Sequence, residues 1–294
     1  MKNLLITHSN PDLDAISAIW LFKRFINGWE DCEHAFVPAG ETYKKTGIHT
    51  NVIHVDTGMG EFDHHQTDGD TCAAKLVYEY LVQNKEEENP PHGQVRHFHE
   101  EALSRMVTII NDFDHFREVD FPQASADRYQ FLLGDILDGL NLTFSGTGSG
   151  DIELVHFGMT ALDGIYRVFQ NKVAAEREIE GGNKIEVVIR HGKAVGFEVG
   201  NDAVLDISQK QGYVIAVRKD PRRGYVRIKA LPGRNIDLTP VYDRLKTDDT
   251  GATWFLHASR AMVLNGSTKN PKMRPSTLSL AQVMEIIREI FHKD

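Results

Sequence analysis

Cysteine is almost missing from this chain of 294 residues: Cys32 and Cys72 are its only two. That is too few for a disulfide framework or a thiolate zinc site, and it fits a reducing compartment. Long apolar runs are missing as well. No stretch approaches the ~20 residues that a membrane span needs. The opening MKNLLITHSNP has an apolar core of three residues, too short for a secretory leader. A soluble cytoplasmic protein with no membrane partner is expected. A basic excess is absent too, since the formal charge is −9. Binding to duplex nucleic acid leans on cations that neutralise phosphates, so this balance argues against non-specific coating, though not against a local basic site. The chain shows neither an internal repeat nor a low-complexity tract.

What is present is an ordinary globular composition, 41% hydrophobic and 26% charged, in a chain long enough for two cores. Short apolar strands (3–7, 35–37, 51–55) alternate with helical patterns at 14–26, 71–83, 95–112, 126–140 and 152–180. That alternation predicts an α/β fold. Residues 1–180 should form a mostly parallel, doubly wound sheet with helices on both faces. The pattern changes near 181–183. KIEVVIR, KAVGFEV, GYVIAVRK and GYVRIKAL are strand-like with short turns between them, followed by a helix in LTPVYDRLK, a strand in TWFLHA and a C-terminal amphipathic helix. Residues 181–294 should form a smaller α+β domain that binds substrate, with the long helix 152–180 as the link.

Acids and histidines gather where strands end. His8, Asp12 and Asp14 follow the first strand, and Asp56, then Asp63, His64 and His65, follow the strand at 51–55. In a parallel α/β sheet the carboxyl ends of strands face the ligand crevice. Each motif alone has a plain alternative: Asp14 can be a helix cap, and a His–His pair can be surface decoration. Two strand ends that both close on Asp and His are harder to dismiss. The donors are oxygen and nitrogen without thiolate, which suits manganese, magnesium or cobalt better than structural zinc. A third group, Asp112, Asp114 and His115, stands at a helix end. His54, inside its strand, reads as structural.

The order H8-x-x-x-D12-x-D14, D56, D63-H64-H65, then an Asp after an apolar helix, resembles the DHH phosphoesterase superfamily. That superfamily includes RecJ-type exonucleases, oligoribonuclease/phosphatases, cyclic-dinucleotide phosphodiesterases and family II inorganic pyrophosphatases. The resemblance spans all four motifs across roughly 1–116. It implies two divalent metal ions, manganese first with magnesium or cobalt as alternatives, held by His8, Asp12, Asp14, Asp56, His64 and Asp112. Asp56 would bridge them, and Asp114 competes with Asp112. Asp56, Asp63 and His65 would be the catalytic residues, with His65 on the substrate phosphate and Asp63 orienting His64 or His65. Two such cations repel one another, which accounts for four carboxylates in one crevice.

In the second domain, residues 209–234 hold eight Lys/Arg against one Asp. The plain alternative is a solvated hairpin; the functional one is a phosphate-contacting surface with Tyr213 or Tyr225 as stacking platforms. Next, His257 and Arg260 follow an apolar strand, and Asn265-Gly266-Ser267 forms a turn before Lys269, Lys272 and Arg274. A turn with free N–H groups and nearby cations can hold phosphate, so His257, Arg260, Asn265, Gly266, Lys272 and Arg274, together with His65, are the expected substrate contacts. The segment loosely resembles the melanocyte proliferating gene nuclease-like branch of the superfamily. It has LNGSTK where that branch has a double glycine, and it lacks the G-G-G-H signature of the RecJ-type associated domain. His92, His97 and His99 read as surface residues, FSGTGSGD (144–151) as a loop, and Trp20, Trp29 and Trp254 as packing.

The expected activity is hydrolysis of phosphodiester or phosphomonoester bonds of nucleotides or short single-stranded oligonucleotides by a hydroxide activated between two metals. A homodimer is one option for assembly. Two rivals stand: an inorganic pyrophosphatase of the same superfamily, and a metal-dependent nucleotide-binding regulator without turnover.

Overall fold

The structure is a computed structural model that describes residues 3–44, 51–144, 149–267 and 270–292. Lys269 and residues 145–148 of the expected 144–151 loop lie outside the described residues, and Gly150 and Asp151 already belong to a helix. The chain divides into two compact units, Met1–Gln170 and Asn171–Asp294.

The first unit is built on a three-stranded parallel sheet of order β2-β1-β3, with β1 at Leu4–His8, β2 at Glu33–Val37 and β3 at Val52–His54. Its central strand is buried almost throughout, which is why LLIT carries no alternation. Leu4 pairs with Val52 and Ile6 with His54. Continued by two residues, that register sets His8 opposite Asp56.

Side chains on one face of the sheet, Leu5 and Val55, join a core with α1 (Leu13–Phe25), α2 (Ala73–Asn84), α3 (Glu100–Asp114) and α4 (Leu133–Phe144). Trp20, Trp29, Phe22 and Phe62 fill its centre. On the other face Leu4, Ile6 and Val37 cluster with Ala35, Tyr43 and Val52, all strand or loop residues. The mixed α/β architecture is therefore as expected, while the helical layer belongs to one apolar cluster rather than to two. Helix α3 begins at Glu100, capped by His99, five residues later than its apolar pattern suggested. The expected helix at 126–140 is split: a 3-10 turn at Asp127–Phe131 precedes α4.

Helix α5 (Gly150–Glu180) carries the chain from the first unit into the second. That second unit holds a six-stranded mixed sheet of order β4-β5-β6-β7-β9-β8. The strands are β4 (Lys184–Ile189), β5 (Gly192–Glu198), β6 (Ile215–Lys219), β7 (Val226–Ala230), β8 (Phe255–Leu256) and β9 (Met262–Asn265). Strands β5 and β6 run parallel, joined by helix α6 (Ala203–Lys210), where the sequence suggested only a short turn. Helices α7 (Thr239–Asp248) and α8 (Leu280–Ile290) supply Val241, Leu245, Val283 and Ile287 to the core of this sheet. Among the described residues no helix is long and apolar enough to cross a membrane.

Candidate metal centre

The carboxyl ends of β1 and β3 lie side by side, and the His/Asp motifs after them converge. Asp56 stands at the middle. Its Oδ2 is 3.2 Å from His8 Nε2, and its Oδ1 is 3.3 Å from His64 Nε2 and 3.7 Å from His65 Nδ1. His8 Nε2 is in turn 3.8 Å from Asp12 Oδ2. On the other side His64 Nε2 lies 3.9 Å from Asp14 Oδ2 and 3.6 Å from Asp114 Oδ2. The potential ligands thus fall into overlapping sets that share Asp56 or His64: His8–Asp12–Asp56, Asp14–His64–Asp114 and Asp56–His64–His65.

Local structure explains how each side chain gets there. Asp12 caps α1 through a 3.0 Å bond from the Ala15 N–H, so the plain alternative for Asp14, a helix cap, is filled by Asp12. Asp14 sits inside the first turn and is buried. Its two oxygens accept the Ala73 and Ala74 N–H groups at 2.7 and 2.8 Å, at the start of α2. A carboxylate between its own helix and the free N–H groups of another is held without rotational choice. Asp56 has φ 55, and Gly58 has φ 81 two residues on. A Cβ on Gly58 would stand 2.9 Å from the His54 ring, so only glycine closes this turn. Asn10, Met59 and Phe116, all in loops adjoining the cluster, also adopt positive φ. Such conformations cost free energy and concentrate at functional sites.

The donor set passes a physical test for divalent cations. Asp56 Oδ1 is buried and receives no well-formed hydrogen bond, a costly state for a carboxylate oxygen. A hard cation with oxygen and nitrogen ligands would satisfy it. The titration of the cluster points the same way. Burial and the Asp56 charge push Asp14 up to about 8. Burial opposes charge on His8, but its bond to Asp56, the Ser9 carbonyl and the Asp12 charge prevail and raise it to about 9. His64 also rises to about 9, chiefly through Asp56, with Asp114 and Asp14 adding. Asp56 is itself buried, yet its histidine neighbours hold it below the usual carboxylate range. In the absence of metal, protons therefore occupy sites that a cation could take.

Asp63 is 1% exposed and ties the motif together. It accepts the Met59 N–H at 2.7 Å, the His65 N–H at 3.1 Å and His65 Nδ1 at 2.7 Å. The ring it orients is that of His65, whose side chain is 54% exposed and offers Nε2 outward.

Asp112 does not join the cluster. It pairs with Arg117 at 2.8 Å, and Arg117 also binds Asp70 at 2.8 Å. Asp114 takes the place expected of Asp112. The signal for this is in the sequence: Asp114 continues the stripe Leu103, Met106, Val107, Ile110 along the buried side of α3, whereas Asp112 lies off it. Of the three histidines expected at the surface, His97 is exposed. His92 packs on Phe62 and Tyr80 with Nε2 2.9 Å from Glu61, and His99 caps α3. His54 Nε2 accepts the Tyr43 N–H at 3.0 Å. Trp20 and Trp29 are 1% exposed and Trp254 7%.

In the second unit the expected substrate residues separate into two groups. His257 and Arg260 occupy the β8–β9 turn. There His257 Nδ1 contacts Ser259 Oγ at 2.8 Å, and Arg260, with φ 57, reaches Asp237 at 3.2 Å. Asn265 and Gly266 lie at the far end of β9, three strand steps or roughly 10 Å away. Asn265 is fully buried and commits its amide to the Thr253 and Arg274 carbonyls at 2.9 and 2.7 Å. Gly266 has φ 84, and a Cβ there would meet the Tyr225 ring at 2.1 Å. Lys272 and Arg274 are exposed. Three of the eight basic residues of the run are paired with acids from the segment before it, Arg218 and Arg227 with Asp202 and Lys229 with Asp206, and Lys219 donates to the Leu278 carbonyl. Tyr213 hydrogen-bonds Glu186.

No protein-family model matches this chain, and no curated protein matches it significantly. Three solved structures align with it along nearly the full length of both chains. One is an uncharacterized protein from Helicobacter pylori G27, at 14% identity, TM-score 0.25, and 99% coverage of each chain. A pGpG-specific phosphodiesterase from Vibrio cholerae aligns at 12% identity, TM-score 0.34, over 97% of this chain and 98% of its own. A putative family II inorganic pyrophosphatase from Methanococcus jannaschii aligns at 13% identity, TM-score 0.25, over 99% of this chain and 100% of its own.

Proposed function

We propose that this chain is a metal-dependent phosphoesterase of the DHH type, hydrolysing phosphodiester or phosphomonoester bonds of nucleotides or short oligonucleotides. The observation that carries this reading is Asp56: buried, in a left-handed conformation, with one oxygen toward His8, the other toward His64 and His65, and Oδ1 lacking a hydrogen bond. In this reading His8, Asp12 and Asp56 would hold one divalent cation, and Asp14, His64 and Asp114, with Asp56, would hold a second. Bound there, the cations would supply Lewis-acid polarisation of a phosphoryl oxygen and activation of water.

The remaining work falls to the chain's own groups. Asp63 keeps the His65 ring turned so that Nε2 faces outward, where it can hydrogen-bond a phosphate oxygen or pass a proton to a leaving oxygen. Asp14, fixed by two backbone N–H groups, and Asp56, fixed by its turn, present oxygens that need not reorganise during reaction. The oxygen and nitrogen donors suit manganese, magnesium or cobalt, and the resemblance to the DHH superfamily puts manganese first.

The test is a manganese-supplemented activity screen across inorganic pyrophosphate, mononucleotides, cyclic dinucleotides and short RNA and DNA, repeated with Asp56→Ala and His65→Ala. Hydrolysis of nucleotide esters that both substitutions abolish, with circular dichroism unchanged, is expected. Turnover of pyrophosphate alone would move the chain to the rival activity, and full activity in both variants would overturn the site.

A further inference from the structure

Beside the cluster runs a segment, 113–131, whose aromatic rings the proposed phosphate chemistry does not use. It carries five aromatic residues, Phe113, Phe116, Phe121, Tyr129 and Phe131, yet its two 3-10 turns, Arg117–Asp120 and Asp127–Phe131, bury no residue. Phe116 is 74% exposed and Phe131 82%. Phe113 lies 6.1 Å from Phe121, and Phe121 5.7 Å from Tyr129, ring to ring, with the Arg128 guanidinium 5.2 Å over Tyr129. Aromatics in this number normally fill a core. Here they stand in or near solvent.

Phe116 is the telling one. Its backbone is left-handed, φ 56 and ψ 24, an outlier for a bulky residue. Burial does not explain the strain, because the side chain is exposed. The conformation is held from both sides: the Phe116 N–H donates to the Phe113 carbonyl, its own carbonyl accepts from Val119, and the next residue, Arg117, is tied to Asp112 and Asp70. Phe116 follows the cluster residue Asp114 by two positions, so their Cα atoms are at most about 7.6 Å apart. That is within the reach of one nucleotide.

We propose that this segment is a stacking platform for the nucleobases of the substrate, with Phe116 as its leading ring; the proposal rests on the phosphoesterase reading above. The phosphate would lie at the cluster and the base on the exposed ring. The segment's charges fit a base better than a phosphate, since Asp114, Glu118, Asp120 and Asp127 outnumber Arg117 and Arg128, and Arg117 is already paired with Asp70 and Asp112. Stacking is tolerant of base identity because every base has a π-face, so the platform selects nucleotides over ring-free esters rather than one sequence over another.

Three variants, Phe116→Ala, Phe116→Leu and Phe116→Trp, would be compared on a dinucleotide and on a ring-free alkyl phosphodiester with manganese. Selectivity for the dinucleotide should fall about 5- to 150-fold in Ala, chiefly through KM, and nearly as far in Leu, while Trp restores it. Equal losses on both esters, or a Leu variant equal to wild type, would overturn the platform. A parallel titration of the chain with a fluorescent mononucleotide reads binding without turnover. Weakened binding in Ala with no hydrolysis by wild type would sink the phosphoesterase reading and leave the platform standing; unchanged binding would sink the platform. Light scattering of wild type and Phe116→Ala covers the alternative occupant, since a dimer lost in Ala would assign the ring to a second copy.

Discussion

Metal binding at this cluster should displace protons, and the number follows from the structure. His8 and His64 are raised to about 9 and Asp14 to about 8 in the metal-free site. Each must give up its proton before it can ligate. At pH 7 all three are protonated, so loading both positions releases about three protons. Near pH 8 Asp14 is half ionised and the release drops to roughly two to three, and above pH 10 it approaches zero. Calorimetric titration of the metal-free chain with manganese, in two buffers of different ionisation enthalpy, reads the count directly. Apparent affinity should climb with pH up to about 9 and then level off. A release of less than about one proton at pH 7, or an affinity flat between pH 6 and 9, would refute the account of protons standing where cations belong.

Stability follows with the same sign. A raised histidine stabilises fully below its ordinary value near 6.5 and loses that contribution as pH climbs through 9, while neutral Asp14 is increasingly penalised up to about 8. The melting temperature of the metal-free chain should therefore fall from pH 6 to 9, and manganese should restore it; an EDTA-insensitive melt would count against both statements. Asp114→Ala should weaken manganese binding by at least about tenfold, and Asp112→Ala by much less, in the same calorimeter; the reverse order would return Asp112 to the cluster. Asp63→Asn should leave the ring of His65 unanchored and cost about 10- to 100-fold in kcat, with metal affinity little changed. Gly266→Ala should lower stability by about 2 kcal/mol or more in chemical denaturation, because a positive φ and the Tyr225 ring both oppose a methyl group.

Most of the cluster is legible in the sequence because strand ends in a parallel sheet are predictable places. His8, Asp12, Asp14, Asp56, His64 and His65 all lie within about ten residues of an apolar run of strand length. The helix residue is harder, since Asp112 and Asp114 are equally near the helix end and only the phase of the apolar stripe separates them. In the second unit one short helix has two consequences. Without α6, β5 and β6 look like neighbours in a hairpin rather than a parallel pair. The helix and its cap also carry Asp206 and Asp202, the acids that neutralise Lys229, Arg218 and Arg227. With those acids unplaced, the basic run looks freer than it is.

The register of β1 against β3 bears on how this protein can vary. The pairing of Leu4 with Val52 and of Ile6 with His54 is fixed by the ladder itself. Tyr43, in the connection from Val37 to Val52, packs on Leu4 and Ile6 and donates its N–H to His54, so it adds to the ladder that sets His8 against Asp56. One residue inserted within Val52–His54 would turn Asp56 to the opposite side of the sheet, since side chains alternate. A change of length is thus forbidden within Val52–His54, and a single-residue insertion there should show itself as an abrupt loss of manganese binding.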